Sequence, residues 1–259
     1  MRINTNVGAL NSTKNAFINT MATDSSMRKL SSGLRISRAA DDAAGLSIAN
    51  KLRAQSRSLT VASANAEQGN AMLQIAEGSA STIQKILERQ KELIIQREST
   101  GNNGSVSTTL NTEITTLTAE VERIITSTNF QGSTVFTSLV FQVSDGVAAS
   151  GGQVTVNASL AASSVSMGST ATIADVDTAL GNINSVLAKI GAGQNVLDYT
   201  VQNLKSAVVN VKAAESTIRD VDMAEEMANY TKNNILSQAA QAMLSQANQS
   251  SQSVLSLLR

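Results

Sequence analysis

The chain has 259 residues, with 20 basic and 20 acidic side chains, and it contains no histidine, cysteine or proline. Histidine is the commonest general base and metal ligand, and the thiolate is a frequent nucleophile and metal ligand, so this composition argues against an enzyme, a metal site and any cofactor. Aromatic residues make up 2%, which favours thin seams between helices, and no basic cluster with interleaved aromatics points to nucleic acid.

The first predicted element is an amphipathic helix over residues 3–32. One stripe of this helix carries apolar residues at helical spacing, namely Ile3, Val7, Leu10, Phe17 and Met21. Gly33 is placed to end the helix in a left-handed conformation. Asp41 and Asp42 can then cap the helix that follows.

Two long helices are predicted from apolar residues that repeat every seven positions. The first extends to about Glu98 and carries Leu52, Leu59, Ala66, Leu73, Ala80, Leu87 and Ile94, with the offset partners Ala62, Ala76 and Ile83. The second occupies residues 173–221 and carries Val176, Ile183, Ile190, Leu197, Leu204, Val211 and Ile218, with the offset partners Leu180, Leu187, Val201 and Val208. This spacing is typical of helices that pack side by side over roughly 70–80 Å, and it favours an assembly role.

Between the long helices, a turn at residues 99–105 precedes a third helix that we expect to pack antiparallel beside the first long one. Residues 128–172 alternate apolar and polar side chains between glycine-containing turns, which predicts one or two β-hairpins. Gly191 and Gly193 lie inside the second long helix, where they indicate a close approach of another helix or a local bend.

The last predicted element, residues 223–259, has an apolar end that needs a partner, because an exposed surface of this kind is unfavourable in water. The fold class predicted is mainly α: an elongated antiparallel helical bundle or coiled coil with a small β-hairpin region and both termini at one end. No run of about 18 apolar residues predicts membrane insertion, and the first residues lack the pattern of a secretory signal peptide.

Several segments closely resemble bacterial flagellin. The matching segments are Ile3–Asn6, Leu10–Asn11, Leu30–Ile36, Ala39–Ala49, Thr128–Gly132, Phe141–Val143, Gly191–Asn195, Leu197–Thr200, Ile218–Glu226, Met243–Asn248 and Val254–Arg259. The resemblance covers both ends almost continuously and weakens across residues 145–175. It therefore indicates a short form that keeps only the core domains of the family.

This resemblance implies a structural subunit that is exported by the flagellar type III apparatus and polymerises into the extracellular filament for motility. The implied domains are an inner tube (residues 1–40 and 222–259), an outer helical bundle (residues 41–136 and 173–221) and a β-hairpin or variable region (residues 137–172). The partners implied are copies of the chain itself, an export chaperone at the C-terminal segment, and hook-associated and cap proteins. The self-assembly residues expected from the apolar ends are Ile3, Val7, Leu10, Phe17, Met21, Met227, Leu236, Met243, Val254, Leu255, Leu257 and Leu258.

Some members of the family are detected by a Toll-like innate receptor, and the resemblance places its contact at Arg89, Leu93 and Glu113. Lys91 stands where the receptor motif has arginine, a change that is not neutral at a bidentate contact.

Two other functions stay open from the sequence. A hook–filament junction protein has similar ends but a more divergent C-terminus. A soluble coiled-coil adaptor would explain the heptads but not apolar segments at both termini. Charge is also uneven, because residues 1–100 hold 13 basic against 8 acidic side chains and residues 101–259 hold 7 against 12. This difference favours pairing of N-terminal with C-terminal helices, within one subunit or between subunits.

Overall fold

The computed structural model describes residues 6–99, 104–144, 152–168 and 170–257, apart from the side chains of residues 251, 252 and 254–257. The helices in these residues are α1 (Val7–Ser32), α2 (Ala43–Glu98), α3 (Gly104–Ser127), α4 (Ile173–Arg219) and α5 (Met223–Leu257). The strands are β1 (Asn129–Phe130), β2 (Ser133–Thr134), β3 (Ser138–Gln142) and β4 (Gln153–Asn157). The predicted class, mainly helical with a small hairpin region, is confirmed.

The chain divides into two compact units. The terminal unit comprises residues 1–54 and 211–259, and the central unit comprises residues 55–210. The helices break at residues 33–42 and 220–222, close to the predicted limits of the inner tube. The assignment of those segments to an inner tube stays a prediction.

In the central unit, α3 packs antiparallel beside α2, as the sequence predicts. The Arg97 guanidinium near the end of α2 donates to Asn111 Oδ1 at 3.1 Å, whereas Gln90, two turns earlier, reaches Thr118 further along α3. Helix α4 also packs antiparallel on α2, since Lys91 near the end of α2 pairs with Asp177 near the start of α4, whereas Glu67, earlier in α2, pairs with Lys205, later in α4. These three helices enclose the core of this unit.

The predicted seam of α2 is confirmed from Leu59 to Ile94, and every heptad residue in that stretch is buried. The partner set predicted for α4 is wrong by one position. Ala179, Val186 and Gly193, three residues after each heptad residue, are buried, whereas Leu180 and Leu187 are only half-buried. Ala179 and Gly193 are small and let the neighbouring elements come close, and the larger leucines lie at the edge of the seam.

The other predicted members of the α4 seam also lie at its margin. Val201 and Val208 are half-buried, and so are Val211 and Ile218, the last two residues of the heptad string. The buried part of the string therefore extends from Val176 to Leu204.

Two hairpins are present, which confirms the prediction for residues 128–172. The β1–β2 turn has positive φ at both Gln131 (51°) and Gly132 (83°), as a two-residue type I′ turn requires. Strands β3 and β4 pair antiparallel with Leu139 opposite Val156. The side chain of Val156 lies directly against Gly193, so this glycine marks a close approach to α4 by a strand.

The terminal unit contains the predicted boundary between α1 and α2. Gly33 has φ of 69° and its N–H donates to Lys29 O at 2.8 Å, so the left-handed helix end is confirmed. Asp42 caps α2 by accepting from the Gly45 N–H at 2.9 Å. Asp41 instead binds the preceding loop, where it accepts from the N–H groups of Ser37 and Arg38.

Candidate assembly surface

Helices α1 and α5 of the terminal unit pack against each other in antiparallel orientation. At one end, Asn6 Nδ2 donates to Ala247 O at 2.9 Å. At the other end, Lys29 Nζ lies 3.7 Å from Glu226 Oε2. The start of α1 is therefore placed beside the later part of α5.

The seam between these helices consists mainly of small and polar residues. The covered or half-covered positions follow heptad spacing and include Ala9, Ser12, Ala16, Asn19, Thr23, Ser26 and Leu30 on α1. On α5 they include Glu226, Tyr230, Asn233, Ser237, Ala240, Leu244 and Ala247. Such residues let the two backbones approach closely but bury little apolar surface, so the pairing gains little from the hydrophobic effect.

The large apolar residues of α1 point away from this seam. Val7, Leu10, Phe17 and Met21 lie about half a turn from the seam positions at 100° per residue. On α5, Met227, Leu236 and Met243 lie outside the seam as well. The exposed fractions of these seven side chains range from 42% to 65%. The predicted self-assembly residues that the structure describes are thus available on the surface of a single chain.

The other predicted self-assembly residues cannot be placed in this way. Ile3 and Leu258 lie outside the described residues, and so do the side chains of Val254, Leu255 and Leu257.

The exposed apolar surface is larger than the sequence analysis predicts. It also includes Ile18, Met27, Met223 and Ile235, each at least about half exposed. On α5, Met227, Ile235 and Leu236 line one open groove together with Thr231 and Lys232. The sequence analysis did not predict these residues because it assumed a single apolar stripe on each helix. The exposed apolar residues instead lie on several sides of a seam of small residues.

Main-chain hydrogen bonds join the segments that adjoin the end of α1 and the start of α5. The Arg35 N–H donates to Arg219 O at 2.7 Å, and the Val221 N–H donates to Gly33 O at 3.2 Å. The Arg35 guanidinium also donates to Ile218 O at 2.7 Å, at the C-terminus of α4. Each of these contacts joins a loop or helix end from one half of the sequence to one from the other half.

Charged side chains in the same unit follow the predicted asymmetry. Arg53 of α2 pairs with Glu215 of α4 at 2.7 Å, and Lys29 of α1 faces Glu226 of α5. In both pairs the cation comes from the N-terminal half and the carboxylate from the C-terminal half. The backbone N–H groups of Arg38 and Ser37 hold the pKa of the Asp41 carboxyl below its ordinary value.

The predicted receptor contact lies in the central unit and is only partly exposed. The Arg89 guanidinium bonds Glu92 Oε2 at 3.0 Å and Glu113 Oε1 at 3.3 Å, and both bonds raise the pKa of Arg89. Leu93 is only 1% exposed, because it faces the helical core. The contact predicted at Leu93 is therefore not available on this surface.

Two other kinds of site are absent from the residues that the structure describes. Within the described ranges, no helix is both long and apolar enough to cross a bilayer. Across the same residues, no group of three or more acidic side chains is placed to hold a metal ion.

Comparison with known proteins gives full-length likenesses. The N-terminal helical region of bacterial flagellin matches residues 3–139, and its C-terminal helical region matches residues 173–258. The chain is 40% identical to a flagellin of Bacillus subtilis (strain 168) and 42% identical to one of Halalkalibacterium halodurans. It is 38% identical to the flagellar filament 33 kDa core protein of Treponema phagedenis. Each of these alignments covers 100% of both chains.

Among solved structures, a crystal structure of Bacillus cereus flagellin matches with a TM-score of 0.47 and 25% identity. That match covers 59% of this chain and 94% of the other.

Proposed function

This chain belongs to the bacterial flagellin family and is a structural subunit of the flagellar filament, not an enzyme, and we propose that its α1–α5 pair is the surface through which copies join. Likeness to filament subunits over the full length favours this role over a hook–filament junction protein or a coiled-coil adaptor.

The observation that carries the proposal is the orientation of α1 and α5. These helices bring their small and polar faces together and leave Leu10, Phe17 and Met243 exposed. Large exposed apolar patches on soluble proteins mark sites that contact a partner. Covering one leucine or phenylalanine side chain contributes about 1.5–3 kcal/mol, so contacts repeated over neighbouring copies would stabilise a polymer strongly.

The arrangement also favours an open polymer over a closed dimer. The apolar residues surround the seam on several sides, and those of α1 differ from those of α5. A surface of this kind can contact different neighbours through different faces, and head-to-tail contacts that do not close into a ring produce a helical filament.

The test compares a variant of the proposed surface with a matched control. Replacing Leu10 and Phe17 together by serine should leave helix content unchanged, because both side chains are exposed, and should abolish seeded polymerisation. Val61→Ser removes an equally exposed apolar side chain from α2 and should polymerise like the parent chain. Sedimentation and electron microscopy give the readout. Normal filaments from the Leu10/Phe17 variant would refute the proposed surface.

We also propose that the subunit is exported by the flagellar type III apparatus and functions outside the cell. The small-residue seam supports this, because little apolar burial holds α1 to α5 before assembly. A subunit with such a surface needs protection in the cell, and the groove at Met227, Ile235 and Leu236 is a suitable site for an export chaperone. Masking of that groove in a chaperone complex, measured by hydrogen exchange, would support this assignment, and unchanged exchange there would contradict it.

Hook-associated and cap proteins are proposed to contact the same surface at the two ends of the filament. In a head-to-tail polymer, one set of contacts is unfilled at each end. A protein with similar terminal helices could fill those contacts. Loss of cap binding in the Leu10/Phe17 variant, tested with purified cap protein, is the expected result, and retained binding would refute it.

For the innate receptor, we propose a contact limited to Arg89 and Glu113. Both side chains are about half exposed in a mutual ion pair, which could rearrange to pair with a receptor. Arg89→Ala should reduce signalling in receptor-expressing reporter cells, and Arg123→Ala, which removes another exposed arginine from an ion pair, should not. Equal signalling by the Arg89→Ala and Arg123→Ala variants would refute the proposed contact.

A further inference from the structure

The methionines in the described residues are distributed unevenly between the two units. Met21 and Met27 on α1 and Met223, Met227 and Met243 on α5 are 48–61% exposed. Met72 and Met167, both in the central unit, are only 5–7% exposed. The exposed thioethers of the described residues therefore coincide with the proposed assembly surface.

The five exposed methionines lie around the covered part of the α1–α5 seam rather than within it. Met21, Met27, Met227 and Met243 fall outside the heptad positions of the seam. Met223 lies one heptad before Tyr230, at the open start of α5, where its side chain is 48% exposed. A chemical change at these sulfur atoms can therefore alter the outer surface while leaving the contacts between the two helices intact.

We propose that these five methionines form an oxidation-sensitive site that controls whether a free subunit can polymerise. The oxidant is a hydroperoxide, such as hydrogen peroxide. With hydrogen peroxide, the thioether sulfur attacks one peroxide oxygen, an S–O bond forms as the O–O bond breaks, and the second oxygen takes the proton from the attacked oxygen and leaves as water. The sulfur loses two electrons and the peroxide gains them, so the product is methionine sulfoxide.

The consequence follows from the polarity of the product. Sulfoxide formation converts a flexible apolar side chain into a polar one and disrupts methionine-rich interfaces. Covering a sulfoxide against a neighbouring subunit removes its water and leaves its oxygen without a hydrogen bond unless a donor is present. This inference rests on the proposed function, because it assumes that the surface is covered on assembly.

Because these methionines are exposed only before assembly, the free subunit is the form that peroxide oxidises. Once neighbours cover the surface, the five sulfur atoms are shielded, just as Met72 and Met167 are shielded in the single chain. Sulfoxide is also reducible by enzymes specific for each epimer. The site thus acts as a reversible block on addition of new subunits rather than as a weak point of the finished filament.

The test uses the full chain and hydrogen peroxide. In the free subunit, the five exposed methionines should oxidise at least about tenfold faster than Met72 and Met167, measured by peptide mass spectrometry. Circular dichroism of the oxidised chain should be unchanged, whereas the concentration needed for seeded polymerisation should rise at least about tenfold. Treatment with methionine sulfoxide reductases of both specificities should restore polymerisation. In preformed filaments, the five residues should be protected.

Two variants separate this effect from general damage. Replacing all five exposed methionines by leucine preserves volume and polarity, so polymerisation should persist and should no longer respond to peroxide. The control Met72→Leu/Met167→Leu should stay peroxide-sensitive. If the leucine variant does not fold, the reductase rescue of the parent chain decides independently.

The outcomes distinguish this inference from the proposed function. If the oxidised chain polymerises as well as the unoxidised chain, the inference is overturned and the proposed function stands. Unoxidised Leu10/Phe17 variant that forms normal filaments would overturn both.

Discussion

Val156 of β4 lies so close to Gly193 of α4 that a Cβ at position 193 would be 2.7 Å from both methyl carbons of the valine. A Cβ there would also be 3.3 Å from Leu73 Cδ1 of α2. One missing side chain therefore lets a strand and two helices meet at a single point. Gly191, two residues earlier in the same helix, has no such neighbour within 4 Å.

Gly193→Ala should lower the free energy of unfolding by about 1–2 kcal/mol, because overpacking against a stiff valine exceeds the gain in helix propensity. Gly191→Ala is the matched control and should raise the free energy of unfolding by up to about 1 kcal/mol, since only the propensity term applies. Urea unfolding monitored by circular dichroism measures both. Equal effects of the two substitutions would contradict the close approach.

A second prediction concerns the buried amide of Gln90. Its Nε2 donates to Thr118 Oγ1 at 3.0 Å and to Ile114 O at 3.3 Å, while its Oε1 is buried without a partner. The Thr118 hydroxyl also lies 2.9 Å from Met167 O. Thr118→Val should therefore reduce stability by about 1–3 kcal/mol, because it leaves several buried polar groups unsatisfied.

Gln90→Met is the companion variant. It removes both the donor and the partnerless oxygen at similar volume, so its loss of stability should be smaller than that of Thr118→Val. Thermal unfolding of the two variants side by side gives the comparison. A larger loss for Gln90→Met than for Thr118→Val would contradict this ranking and show that the two hydrogen bonds of the Gln90 amide outweigh the cost of its partnerless oxygen.

A third prediction concerns the carboxylate of Glu215. It accepts from Arg53 Nε at 2.8 Å and lies 3.9 Å from Arg219 Nη1, and the Arg219 side chain is largely covered. Neutralising this carboxylate leaves two neighbouring guanidinium groups without their shared counter-ion. Glu215→Gln should destabilise the fold by roughly 1–2 kcal/mol, measured by urea unfolding. Glu120→Gln breaks an exposed pair with Arg123 and should change stability much less.

A fourth prediction concerns acid. The pKa of Asp41 is below its ordinary value in the folded chain, because the N–H groups of Arg38 and Ser37 favour the charged carboxylate. A lowered folded-state pKa gives stability that is present above the unfolded-state value, near pH 4, and is lost as the pH falls through the folded-state value. Asp41→Asn should therefore flatten the decline in stability below about pH 4.

The acid prediction is tested by unfolding the parent chain and Asp41→Asn between pH 7 and pH 2. Asp175 should still contribute in both proteins, since the Thr172 N–H and hydroxyl lower its pKa in the same way. The plots of unfolding free energy against pH for the two proteins should therefore approach each other at low pH, and neither should become flat. A constant difference at every pH would contradict the role of Asp41.

Much of the central unit could be predicted from the sequence, because its seams are built from leucine and isoleucine at heptad spacing. The buried positions Leu73, Leu87 and Ile190 follow directly from that pattern. The exact partner positions on α4 could not be predicted, since they depend on Val156 packing against Gly193. Sequence spacing does not show which side of a helix a hairpin will cover.

In the terminal unit, by contrast, the spacing of apolar residues does not show which faces of the helices pack together. The apolar stripe on α1 predicted Leu10 and Phe17 as self-assembly residues; the structure leaves both side chains exposed, and their role in assembly stays a prediction. The stripe did not identify the seam with α5, because that seam uses residues such as Ala16 and Ser26, whose hydropathy differs little from that of the surrounding helix. A search for small residues every three or four positions would have found it.

The alanine and serine seam between the first and last helices has a mechanical consequence. Because little apolar surface is buried between α1 and α5, we expect the two helices to separate with little loss of hydrophobic stabilisation, which suits the export proposed above, since each helix could then pass singly through a narrow channel. Contacts with neighbouring subunits would then supply the stabilisation that the α1–α5 pair lacks.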